Sequence, residues 1–189
     1  MENSLPLGKD RTLFFSKQVD QDSIEDISKS ILEINEDDQY LNKLYKIHEL
    51  EYKAKPIRIM IDSYGGNLYQ IMGLLSIVNK SKTPIHTIVT GTAMSAGFLL
   101  LIHGHKRFAY EHSTPMYHQA ASLSVGYETL QEIEDGYIEL KRLQDKMENI
   151  TLSKTKITKK KLKEILKEKK DWYMDSDEAL KLGVVDEII

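Results

Sequence analysis

Twice this chain hands an alternating apolar strand directly to an apolar helix through a glycine-bearing turn. In IRIMID, Ile57, Ile59 and Ile61 alternate with Arg58 and Met60, the turn SYGGN follows, and a helix runs from about Leu68 to Val78. The second passage is IHTIVT, then GTAMSAG (Gly91 to Gly97), then FLLLI. Strand, glycine turn, helix and strand make a βαβ unit, which requires parallel pairing through a right-handed crossover. In such a sheet the carboxyl ends of neighbouring strands share one edge, where ligands bind, so the two turns are expected to meet in space.

The other elements fit an α/β chain. RTLFFS reads as a first strand, and Ile24, Ile27, Ile31 and Ile34 recur at helical spacing behind a capping Asp20 to Asp22. Residues Asp37 to Lys55 are highly charged and read as a peripheral, partly helical segment. KRFAY and PMYHQ are short strands. From Glu128 to about Leu152 a helix carries Leu130, Ile133, Tyr137, Leu140, Leu143, Met147 and Ile150 in one stripe. At 1.5 Å per residue it spans roughly 37 Å, more than one small core needs. It either projects to pack on another subunit or covers the sheet. KITKKKLKEILKEKK is lysine-rich, but Leu162, Ile165 and Leu166 give it a buried face, so it reads as a solvated helix rather than a nucleic-acid site. DEALKLGVVDEII closes the chain as a helix stopped by Gly183 and a strand.

Composition narrows the chemistry. With 189 residues the chain suits one domain, and the absence of cysteine removes disulfides, thiolate metal sites and a cysteine nucleophile. A net charge of -3 gives no reason to expect nucleic acid or an anionic membrane as partner. FLLLI falls far short of the roughly 20 apolar residues that span a bilayer, and the N-terminus does not read as a secretory signal. A cytoplasmic protein without metal or cofactor is the expectation.

The two turns together suggest acyl transfer. Gly65 and Gly66 can adopt backbone angles closed to other residues and present outward-facing amides. Ser95 is expected at a helix N-terminus, where free amides stabilise negative charge. A hydroxyl to attack a carbonyl and N–H donors to hold the resulting oxyanion are what the reaction needs, and AMSAG approximates the small-x-Ser-x-Gly turn of serine hydrolases. Taken alone, however, such a serine reads first as a helix cap or packing residue. A nucleophilic serine also needs a base. Among the six histidines, His48 and His86 are poorly situated, the pair in HGH (His103 and His105) reads as a polar helix end, and His118 on PMYHQ could reach the sheet edge. Local pattern takes the choice no further.

The order of landmarks does. SYGG, GTAMSAG, KRF, MYHQ, a long helix, DWYM and EALKLGVVDEI follow one another as in the ClpP-type serine peptidases, the proteolytic subunits of ATP-dependent Clp proteases, which the chain resembles from about Arg11 to Ile189. The resemblance implies a crotonase-like spiral of βαβ units in a single domain over 11–189, preceded by a short segment 1–10. It implies Ser95 as nucleophile, His118 as general base and then acid, and Asp171 as the carboxylate orienting the imidazole. Gly66 and Ala96 become the oxyanion-hole donors. It further implies that 119–152 form a handle interlocking heptameric rings into a tetradecamer, that substrates are peptides or unfolded proteins, and that a Clp-type ATPase is a partner. The chain departs from the family pattern in several places. Only about ten residues precede RTLFF, where the family has an axial loop and first helix for ATPase docking. Tyr64 replaces the usual Pro, Ala96 the usual Met, and HQAASLSVG lacks the Gly-rich handle strand. The competing readings are a catalytically silent ring subunit or partner-binding module, and another crotonase-fold acyl-transfer enzyme.

Overall fold

The computed structural model describes residues 10–122, 126–168 and 170–189. The expected N-terminal segment, apart from Asp10, and positions 123–125 of the expected handle lie outside the described residues.

The sheet forms as the alternation predicts. Strands β1 (Thr12–Phe15), β2 (Ile57–Ser63), β3 (Ile85–Met94), β4 (Lys106–Ala109) and β7 (Glu187–Ile188) lie side by side in the order β1-β2-β3-β4-β7, every pair parallel. In β2 the isoleucines are buried, while Arg58 and Asp62 face outward. Two further strands leave this path: β5 (Thr114–Tyr117) pairs in parallel with the distal part of β3, and β6 (Trp172–Tyr173) pairs antiparallel with β5.

Strand β3 is longer than IHTIVT, continuing through GTAM to Met94. Its near half pairs with β4 through His86 to Val89, and its far half with β5 through Thr92 to Met94. Between the halves its register to β2 shifts, Ile61 facing Val89 but Ser63 facing Ala93. Asp62 fills the resulting irregularity: its Oδ1 accepts the Thr92 amide at 2.8 Å and the Thr92 hydroxyl at 3.0 Å. Gly91 leaves room for this carboxylate, since a Cβ at that position would lie 2.5 Å from the same oxygen and displace it. The shift lets the end of β3, and Ser95 beyond it, serve a second group of strands.

Helices α1 (Gln21–Ile47) and α2 (Leu68–Lys80) pack on one another, and α3 (Ala96–Leu101) packs against α2, β2, β3 and β5. All of α3 is buried, which accounts for its being apolar on every side. Helix α1 sharpens the expectation for Asp37 to Lys55, since one helix continues to Ile47. Polar groups hold that continuation down. Buried Asp38 accepts hydrogen bonds from Arg11 (2.5 and 2.8 Å), Thr83 (2.5 Å) and Tyr52, and Asn35 accepts the amides of Lys82 and Thr83.

Helix α4 (Leu130–Lys154) divides in two. Leu143, Met147 and Thr151 are buried, whereas Leu130, Ile133, Tyr137 and Ile138 stand exposed. Its far half therefore lies off the body of the single chain. Lysine-rich α5 (Lys159–Glu168) buries Leu162 and Ile165, and α6 (Ser176–Lys181) is followed by Gly183 at φ +66°. Among the described residues no helix is long and apolar enough to cross a membrane.

Candidate active site

The first glycine turn lies against the serine turn. Gly65 and Gly66 adopt φ of +93° and +146°, conformations that side chains resist. A Cβ on Gly65 would lie 2.8 Å from Ser95 Cβ and 2.9 Å from the Ala96 amide nitrogen. Only glycine permits that approach. Gly66 is fixed by a bridge to Val19, in which the Val19 amide donates to Gly65 O at 2.8 Å and the Asn67 amide donates to Val19 O at 2.8 Å. The bridge spans Gly66 and leaves its own N–H outside the ladder. Among the described residues neither the Gly66 nor the Ala96 amide donates to a protein acceptor.

Ser95 occupies the position before the first residue of α3, yet its side chain makes no capping hydrogen bond. The cap reading therefore lacks the interaction that defines it. The backbone is instead held at φ 54°, ψ -117°, outside the regions open to an L residue, with the Ser95 amide donating to Met116 O at 3.0 Å. Strain of this kind costs about 1–3 kcal/mol and persists where the surroundings impose it. Here they are a buried helix on one side and the glycine turn on the other.

Sheet register carries the other two candidates to the same side of the sheet, beyond β5 and before β6. Met94 pairs with Met116 across β3 and β5, which sets Ser95 level with Tyr117 and leaves His118 one residue further along, just past the end of β5. Tyr117 pairs with Trp172 in the antiparallel β5–β6 ladder, and the next pair outward is His118 with Asp171. Their side chains face each other with Nδ1 and Oδ1 3.8 Å apart. That is an ion-pair distance and longer than a hydrogen bond. Asp171 is half exposed, so solvent screens the pair in the single chain. With Nδ1 toward the carboxylate, Nε2 is the nitrogen available to accept a proton.

Two features escape sequence reasoning. Gln144 of α4 brackets His118, donating to the Tyr117 hydroxyl at 3.2 Å and accepting the Ala120 amide at 2.7 Å. Tyr117 is itself anchored by an edge-on contact with Phe98 at 5.8 Å, and burial pushes its phenol up to about 12, so it stays neutral. The Tyr173 hydroxyl also approaches Asp171 Oδ2 at 3.4 Å. Nothing in local periodicity marks Gln144, because its role depends on a helix and strand meeting in space.

The remaining histidines stand apart. His103 is buried with Nδ1 donating to Leu99 O at 3.0 Å, and burial lowers its pKa to about 4. His105 Nδ1 accepts the Ile85 amide at 2.9 Å. HGH is thus a structural helix end. Among the described residues no three His, Asp or Glu side chains gather where they could hold a metal ion.

Comparison with known proteins decides the family. Residues 3–189 match the family model described as Clp protease. The chain belongs to the Clp protease family. It is 28% identical over 183 residues to ATP-dependent Clp protease proteolytic subunit 2 of Treponema pallidum, covering 94% of this chain and 87% of that protein. It is 26% identical over 186 residues to the protein of the same name from Prochlorococcus marinus, covering 97% and 83%. The proteolytic subunit of Deinococcus radiodurans is 31% identical over 135 residues, covering 70% and 64%. Membership makes the chain a serine-type peptidase with the ClpP-type α/β fold.

Proposed function

We propose that this member of the Clp protease family is an endopeptidase that cleaves peptides or unfolded proteins through an acyl-enzyme on Ser95. The reading rests chiefly on two observations: Ser95 stands at a strained corner against the Gly65–Gly66 turn, and the neighbouring strand β5 leads into His118, which faces Asp171. Ser95 Oγ attacks the scissile carbonyl carbon while His118 Nε2 takes its proton, and Asp171 holds the imidazole and balances the charge that forms. The carbonyl oxygen becomes an oxyanion between the Gly66 and Ala96 amides. His118 then protonates the leaving amine, and water, deprotonated by the same imidazole, releases the acyl group. Ala96 in place of a larger residue leaves this scheme intact, because the donor is its backbone N–H.

The domain spans 11–189 and acts in a ring-shaped homo-oligomer, heptameric and stacked in pairs. Support comes from the far half of α4, where Leu130, Ile133, Tyr137 and Ile138 are exposed on a helix too long for its own core. In this reading 119–152 serve as the handle between rings, the site is cytoplasmic, and a Clp-type ATPase delivers unfolded chains. The test is turnover of a fluorogenic peptide by the wild type and by Ser95→Ala, His118→Ala and Asp171→Ala. Loss of turnover in the first two, with sedimentation showing an assembly far larger than 21.8 kDa, is expected. Undiminished turnover in Ser95→Ala overturns the reading.

A further inference from the structure

A cavity of about 500 Å³ opens beside the serine turn, lined by Ser16 to Gln18 and by Asp62 to Gly65. The size is that of a small-ligand site. Gly65 is the shared wall, since it lines the cavity and a Cβ on it would lie 2.8 Å from Ser95 Cβ. The cavity therefore begins one residue from the proposed nucleophile.

Its walls are built rather than incidental. Ser63 Oγ donates to Lys17 O at 2.6 Å, tying the loop after β1 to the end of β2, and the Val19–Gly66 bridge ties it a second time. Two charged side chains line the cavity. Lys17 is already matched by Asp26 at 3.4 Å. Asp62 is not matched: its Oδ1 takes the Thr92 amide and hydroxyl, but among the described residues its Oδ2 accepts no hydrogen bond and no cation pairs with it. Tyr64, where the family pattern has proline, lines the same cavity and is 77% exposed as a residue. A carboxylate oxygen with a spare acceptor next to an exposed phenol ring suits a cation on a long apolar stem, which an aromatic face and a carboxylate both attract.

We infer that this cavity is a substrate subsite selecting a basic side chain, arginine or lysine, close to the scissile bond, with Asp62 as the charge partner and Tyr64 as the stacking surface. The inference rests on the peptidase reading for its biological sense, but its test does not require turnover. Asn at position 62 keeps the Oδ1 acceptor that holds Thr92 and removes only the charge, so the register of β3 is preserved.

The experiment measures binding of two fluorescent peptides to Ser95→Ala, one containing arginine and the other citrulline, which has nearly the same shape without the charge. Arginine should bind about 3- to 5-fold more tightly, the size expected for one partly solvated charge pair. Adding Asp62→Asn should erase the preference with little effect on citrulline binding, and adding Tyr64→Ala should reduce it. Equal binding of the two peptides, a preference that survives Asp62→Asn, or no binding of either overturns the assignment. Peptide turnover by the wild type is scored separately, so an inactive enzyme with an intact arginine preference would refute the reaction and leave the subsite standing.

Discussion

Adding one methyl group to Gly65 tests whether the two turns form one site. In Gly65→Ala the new Cβ would lie 2.5 Å from Met94 O, 2.8 Å from Ser95 Cβ and 2.9 Å from the Ala96 nitrogen, at φ +93°. None of these atoms is the end of a flexible side chain, so the turns must separate by roughly 0.5–1 Å to reach ordinary van der Waals distances. Holding alanine at positive φ costs about 1–2 kcal/mol, which in a chain of this length lowers Tm by about 2–8 °C. The rate should suffer more. Moving the Ala96 amide off the oxyanion position forfeits most of one donor, about 3–4 kcal/mol, or roughly 100- to 1,000-fold in kcat. Gly73 of α2 is the control: a Cβ there meets nothing within 4 Å, so Gly73→Ala should raise stability by about 0.5–1 kcal/mol and leave the rate alone. The assays are kcat on a fluorogenic peptide at 25 °C and thermal unfolding by circular dichroism. A Gly65→Ala protein with lowered Tm but kcat within about threefold of wild type would refute the claim that the glycine turn supports catalysis at Ser95.

Asp38, His103 and Gln144 each make a separate, measurable contribution. Asp38 would be raised by burial, but hydrogen bonds from Arg11, Thr83 and Tyr52 outweigh that and hold it below its usual value. Asp38→Ala strands the Arg11 guanidinium and should destabilise the fold by about 3 kcal/mol in urea unfolding; a change under about 1 kcal/mol would contradict the network. His103, lowered by burial to about 4, is neutral when folded but takes a proton when unfolded below pH 6.5. Stability should therefore fall as pH drops from 6.5 towards 4, by up to about 3 kcal/mol, and the slope should flatten in His103→Asn, with an unchanged slope counting against the assignment. Gln144→Ala should lower kcat about 10-fold with KM little changed, and Gln144→Glu, which retains the acceptor for the Ala120 amide, should recover part of the loss; an unaffected kcat would remove Gln144 as the residue positioning His118.

Much of this architecture was legible in the chain, for identifiable reasons. Ile57, Ile59 and Ile61 alternate because one face of β2 is buried, and α3 reads as apolar throughout because every side of it is covered. The positive φ of Gly65 and Gly66 follows from a turn that no side chain tolerates. What periodicity missed was polar or long-range. Helix α1 runs beyond the isoleucine stripe because Asn35 and Asp38 are buried by hydrogen bonds, and a hydrophobic pattern counts them as surface. The register shift at Asp62 depends on pairing with a distant strand. Likewise, local pattern left His118 as one histidine among several and gave Asp171 no role. The family resemblance alone singled out these two, and their proximity comes from a β5–β6 ladder whose strands lie more than fifty residues apart in sequence.

The reactivity of the Ser95 hydroxyl tests the proposed chemistry most directly. Incubation with a fluorophosphonate followed by intact-mass and peptide mapping measures it. The prediction is a phosphonyl adduct on the peptide containing Ser95, absent from Ser95→Ala and formed far more slowly in His118→Ala. An unlabelled wild-type protein, or an adduct that persists undiminished in Ser95→Ala, would contradict it.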